Sequence, residues 1–135
     1  MKAQDLRLGN FVIAKNEIIK IIEFRESFVL GENDNCLIRC LPSQMQPIEL
    51  NEDILVNLFG KPRTNGNKFD IYTIPTNGIE IQDRRKSALP TPTICILKFG
   101  VHICDIKYLH ELQNMFYYLT KQELETYDNK NSRTD

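Results

Sequence analysis

Long apolar runs are missing from this 135-residue chain: none approaches the ~18–20 residues a helix needs to cross a bilayer. The opening residues, Met1-Lys-Ala-Gln-Asp-Leu-Arg7, lack the apolar core of a signal peptide, so a cytoplasmic setting is expected. That setting implies reduced thiols, and no disulfide framework is expected of Cys36, Cys40, Cys95 and Cys104. The net charge is −1, which excludes a global field drawing the chain onto nucleic acid or an anionic membrane. No Cys-x-x-Cys pair, no His-x-x-x-His, no paired-carboxylate motif and no Gly-flanked nucleophile elbow occurs. Gly60, Gly66 and Gly78 stand alone as turn glycines and build no phosphate loop. Internal repeats and low-complexity blocks are absent too. The sequence therefore assigns no catalytic residue, cofactor or metal.

What remains is ordinary for one compact globular domain or two small subdomains: 41% hydrophobic and 26% charged residues. Leu6-Arg-Leu-Gly-Asn10 reads as an entry turn. Phe11–Ala14 and Glu17–Phe24 read as strands joined by a two-residue hairpin turn at Lys15-Asn16. Ile18, Ile19, Ile21 and Ile22 populate both faces, which places the second strand centrally in its sheet. Ser27–Leu30 and Cys36–Leu41 follow, with Pro47–Leu50 as a closing strand of a meander or small barrel. Asn51–Gly60 changes the period. Asn51 is placed to cap a helix, Glu52 and Asp53 suit its first turn, and Ile54, Leu55, Leu58 and Phe59 form its buried stripe. A polar loop, Lys61–Lys68, leads to hairpin strands at Phe69–Ile74 and Ile79–Gln82, the second with one wet face. A further β pair, Thr93–Phe99 and Val101–Cys104, hinges at Gly100. The predicted fold is α+β: an N-terminal antiparallel β-meander or small barrel, a short capped helix, then β-hairpins packed on a C-terminal amphipathic helix. The expected division is 1–50 as the β subdomain, 51–125 as an α+β subdomain with the C-terminal helix, and 126–135 as a flexible tail.

The C-terminal helix, read over Ile106–Leu119, is the most specific segment. At about 100° per residue, Tyr108, Leu109, Leu112, Met115, Phe116 and Leu119 share one apolar arc suited to packing. His110, Gln113, Asn114 and Tyr117 form a contiguous arc beside it. Those four are the candidate partner-binding residues; the alternative is that they satisfy loop or sheet-edge backbone groups. Thr120 and Glu123 have capping-box spacing for a second helical turn.

Three segments carry a family resemblance: Leu6-Arg-Leu-Gly-Asn10, Pro47-Ile-Glu-Leu-Asn-Glu-Asp-Ile-Leu55, and Lys107-Tyr-Leu-His-Glu-Leu-Gln-Asn-Met-Phe-Tyr-Tyr-Leu-Thr-Lys-Gln-Glu-Leu124. Together they resemble a family of short uncharacterised proteins of Bacteroidota genomes, phages and mobile elements. Tyr118 replaces the alanine usual in that pattern, and Lys121 replaces a glycine that would accept a positive φ. The resemblance implies a phage or mobile-element setting and no mechanism.

Other constellations are weaker. Cys36-Leu-Ile-Arg-Cys40 with Cys95 and His102-Ile-Cys104 offers soft ligands at poor zinc spacing, and core packing is the simpler role. Cys104 and His110 are the one conceivable nucleophile–base pair. Lys61, Arg63 and Lys68 in one loop, and Arg84, Arg85 and Lys86 in the next, are the candidate nucleic-acid contacts, against a reading as solvated loops. The leading expectation is a non-enzymatic protein-binding accessory protein with a protein partner, homo-oligomerisation left open and no membrane association. A nucleic-acid-associated accessory protein and a small enzyme with an unrecognised site are the alternatives.

Overall fold

The computed structural model describes residues 1–65, 69–74, 77–86 and 93–124. In chain order the elements are β1 (Phe11–Ala14), β2 (Glu17–Phe24), β3 (Val29–Glu32), β4 (Leu37–Cys40), β5 (Met45–Gln46) and α1 (Glu52–Phe59). Then come β6 (Arg63–Asn65), β7 (Phe69–Ile74), β8 (Ile79–Asp83), β9 (Ile94–Lys98), β10 (Val101–Ile106) and α2 (Leu109–Thr120). The class is α+β. Among the described residues no helix is long and apolar enough to cross a membrane. The described residues divide into two compact units: Met1–Glu49 with Tyr108–Lys121, and Leu50–Lys107 with Gln122–Leu124.

The first unit is a curled antiparallel sheet, a half-barrel, in the order β4-β3-β2-β1-β5. Its first hairpin closes as the sequence predicts. Ala14 faces Glu17, and Lys15 and Asn16 both take positive φ (52° and 65°), the backbone twist that two-residue hairpins favour. β2 is central, yet only its Ile19 and Ile21 face is sealed. A register shift between Ile21 and Glu23 interrupts the alternation, and Ile18 stays exposed. Gly31 lies against Ile19; a Cβ there would sit 2.3 Å from Ile19 Cδ1, so the strands approach closely only with glycine at this position. Val12, Ala14, Ile19, Ile21, Val29, Ile38, Cys40 and Met45 form the core, joined by Leu6.

The closing strand differs from expectation. Met45–Gln46, not Pro47–Leu50, pairs with β1, and Glu49 instead makes an isolated bridge to Tyr108. The third strand likewise begins at Val29, two residues later than expected.

The second unit is an antiparallel sheet ordered β10-β9-β8-β7-β6, with α1 beside it. Asn51 caps α1 by accepting from the Ile54 N–H at 2.9 Å, and Ile54, Leu55 and Leu58 are buried, as the periodicity requires. Phe59 meets Tyr72 of β7 with ring centroids 6.3 Å apart. The loop predicted over Lys61–Lys68 contains a short edge strand, β6, which polar residues conceal from a hydrophobicity reading. The wet face expected on β8 is also corrected: Gln82 is buried and Glu80 partly so, and the strand runs on to Asp83, buried on the Ile79–Ile81 face. Lys68, the turn residues 75–76, part of the 83–92 loop and the expected tail lie outside the described residues.

Helix α2 starts at Leu109, three residues later than the sequence reading, because β10 runs on through Ile106. Glu111 accepts from the Tyr108 N–H at 2.9 Å and fixes the helix start. Its residues cluster with the N-terminal sheet, whereas the sequence reading grouped the helix with the hairpins that precede it. Side-chain hydrogen bonds join α2 to the N-terminal loop.

Candidate functional site

The expected partner-binding arc forms a junction within the first unit. Gln113 is 1% exposed and bridges two backbone groups: its Oε1 accepts from the Phe11 N–H at 3.0 Å, and its Nε2 donates to the Gly9 carbonyl at 3.0 Å. Asn114, the next residue, turns to the same loop. Its Oδ1 accepts from Asn10 Nδ2 at 2.7 Å and from Arg7 Nε at 3.2 Å, while its Nδ2 donates to the Asp5 carbonyl at 3.3 Å. Asn10 is itself buried and accepts from the Arg7 N–H at 2.7 Å. Arg7 also lays its guanidinium over the Tyr117 ring, 4.4 Å from the centroid.

A loop that enters a sheet carries backbone groups with no ladder partner, and burying them unpaired costs free energy. The amides of α2 supply those partners. Leu6–Asn10 and His110–Asn114 are thus halves of one hydrogen-bonded structure. Arg7 and Asn10 were missed from sequence. The available signal was the co-occurrence of an amide-bearing helix flank and a loop with Gly9 and Asn10, which no periodicity argument pairs.

His110 belongs to the same flank and is buried, its ring stacked on Tyr108 at 5.9 Å with an 11° interplanar angle. Its Nδ1 has no hydrogen-bond partner among the described residues. Burial pushes its pKa below the ordinary histidine value, against the opposing charges of Glu111 and Asp5. Of the four arc residues, only Tyr117 offers substantial surface, and Tyr118 beside it is more exposed still. Lys121 ends the helix in the left-handed conformation (φ 61°, ψ 21°), a position that favours glycine. Thr120 donates to the Phe116 carbonyl rather than opening a second helical turn as its spacing predicts.

The basic loop of the second unit is largely self-neutralised. Arg85 pairs with buried Asp83 at 2.8 Å and also donates to the Leu50 carbonyl at 3.1 Å, tying β8 to the entry of α1. Burial raises the Asp83 carboxyl, but the hydrogen bonds and charge of Arg85 outweigh that and hold it below the usual aspartate value. Lys86 lies 3.4 Å from Glu52. Arg84 hydrogen-bonds Gln82 and sits over Phe69, 5.1 Å from the ring centroid. Lys61 and Arg63 are exposed, Arg63 on β6; Lys68 lies outside the described residues. The spacing Asp83-Arg-Arg held the signal for this internal pairing.

Hairpin β9–β10 presents the apolar surface of this unit. Phe99 and Gly100 form its two-residue turn, both at positive φ (49° and 82°). Phe99 is 77% exposed and Val101 63%, and Ile103 is also exposed on β10, the edge strand of the sheet. None of the four cysteines is disulfide-bonded: Cys40 and Cys95 are buried, Cys104 is partly so and Cys36 is exposed. Comparison of the chain with protein-family models, with curated proteins and with solved structures gives no match.

Proposed function

We propose that the chain is a non-enzymatic protein-binding accessory protein of a phage or mobile element, acting through the β10 edge. The genomic setting rests on the sequence resemblance of Leu6–Asn10, Pro47–Leu55 and Lys107–Leu124. The binding role rests on one observation above others: Val101 and Ile103 on edge strand β10, with Phe99 in the adjoining turn, are exposed together. Natural edges are usually short, charged or covered, because an open edge is a template for another strand. This edge, bulged at Ile103 and carrying exposed His102 and Asp105 beside its apolar residues, suits a short extended segment of a partner protein, with main-chain hydrogen bonds for affinity and the apolar Val101 and Ile103 for specificity. The ion pairs of Arg85 and Lys86 make the basic loop a weaker phosphate contact than its sequence suggests.

The test is affinity capture from the native host with wild-type protein and a Val101→Lys variant, followed by binding measurements on the purified pair. The expected result is a partner held by the wild type and lost by the variant, since a lysine on the edge disfavours strand addition. An identical set of partners retained by both, at equal affinity, would contradict the assignment.

A further inference from the structure

We propose that Cys95, His102 and Asp105 form a binding site for a single thiophilic divalent cation of the zinc class. The three side chains come from adjacent strands β9 and β10, and their ligand atoms all lie within 4.8 Å of one another. In tetrahedral zinc sites, bonds of about 2.0–2.3 Å put ligand atoms roughly 3.3–3.8 Å apart. His102 Nε2 and Asp105 Oδ1 are already at 3.1 Å. Closing the remaining separation takes a side-chain adjustment on the order of 1 Å, well within rotamer freedom at two exposed residues.

The grouping exists because of a backbone irregularity. On a regular strand, positions three apart point to opposite faces. Between His102 and Cys104 the register of β10 against β9 shifts, so that Leu97 faces His102 and Ile96 faces Cys104, leaving Ile103 unmatched. That one-residue bulge returns Asp105 to the face of His102, directly across from Cys95. Bulges recur where a strand must re-aim a side chain. Here it assembles a sulfur, an imidazole and a carboxylate, a donor set that suits zinc.

Burial is graded as a metal site requires. Cys95 is 1% exposed and its thiol has no hydrogen-bond partner among the described residues, while His102 and Asp105 form an open rim with side chains 52% and 59% exposed. On binding, the Cys95 thiol proton leaves to solvent and a sulfur lone pair forms the metal–sulfur bond. Three protein ligands leave the fourth position to water. Spacing along the sequence groups Cys104 with Cys95 and His102; the bulge replaces it with Asp105. The site goes beyond the protein-contact reading and does not depend on it.

The probe is Co²⁺ added to chelator-stripped full-length protein, followed by Zn²⁺ displacement and native mass spectrometry. Wild-type protein is expected to bind one ion per chain, with a near-ultraviolet thiolate-to-cobalt band that Zn²⁺ bleaches. Cys95→Ala is expected to remove the band. His102→Ala, at an exposed position that folding tolerates, is expected to weaken affinity by at least ~10-fold, the lower bound for disturbing a metal's surroundings. Cys36→Ala and Cys104→Ala should leave band and affinity unchanged. Absence of the band in wild-type protein overturns the proposal. So does its loss in Cys36→Ala or Cys104→Ala, or an unaltered affinity in His102→Ala.

Discussion

Among the described residues the two units repeat one plan, a five-stranded antiparallel sheet with one α-helix, and fasten the pieces by different physics. In the first, α2 is tied to the chain entering the sheet by neutral amides: Gln113 grips Gly9 and Phe11, and Asn114 grips Asp5, Arg7 and Asn10. In the second, α1 presents an apolar stripe, and its entry is held by a charged clamp of Asp83, Arg85 and the Leu50 carbonyl. An amide network is directional and indifferent to salt. An ion pair with a buried carboxylate and a partly exposed guanidinium is partly screened and titrates. The same architecture should therefore fail in two distinguishable ways.

The largest effect is expected from Gln113→Ala. It strands the Phe11 N–H and the Gly9 carbonyl in a buried site and leaves a cavity, at a combined cost of about 3–5 kcal/mol. Urea denaturation checks this, and the loss should be the same in low and high salt. Arg85→Ala should cost less, about 2–3 kcal/mol, since the arginine is partly exposed and its pair screened. Here added salt should narrow the gap between wild type and variant.

Acid separates the units further. His110 has a folded pKa below its ordinary 6.5, so its contribution is intact above that value and declines as pH falls through the lowered pKa. Asp83 is likewise depressed, from 3.8, so its contribution persists to about that pH and is lost only below it. Thermal melts from pH 8 to pH 3 should show two windows of loss. His110→Leu should remove the upper one, and Arg85→Ala should shrink the lower one. The smallest effect is a gain: Lys121→Gly relieves a left-handed residue and should stabilise the protein by about 1 kcal/mol.

Much of this was legible from residue patterns. Period-two and period-3.6 signals located β1, β2, β4, β7, α1 and α2 because each buries a periodic apolar face. Lys15-Asn16 announced a two-residue turn, and Asn51 a helix cap. β6 was hidden because Arg63-Thr-Asn65 carries no apolar alternation and earns its ladder only from β7. The attachment of α2 was hidden because amide-to-backbone hydrogen bonds join residues about a hundred positions apart without leaving a period. Asp105 was overlooked as a ligand for a related reason. A bulge changes which side chains share a face, and nothing in Val101–Ile106 marks one. The amide flank was legible as unusual and illegible as to purpose; His110 and Gln113 are buried, Asn114 bonds to the entry loop, and Tyr117 stacks under Arg7.

The measurement closest to the central claim is amide hydrogen exchange at Phe11, whose N–H bonds to a side chain 102 positions away rather than to a neighbouring strand. Strong protection in the wild type is predicted, with Gln113→Ala exposing Phe11 while Ile19 and Ile21 in the same sheet keep most of theirs. Equal protection of Phe11 in both proteins would contradict the account, because helix α2 and the entry loop would then not be held together by this side chain.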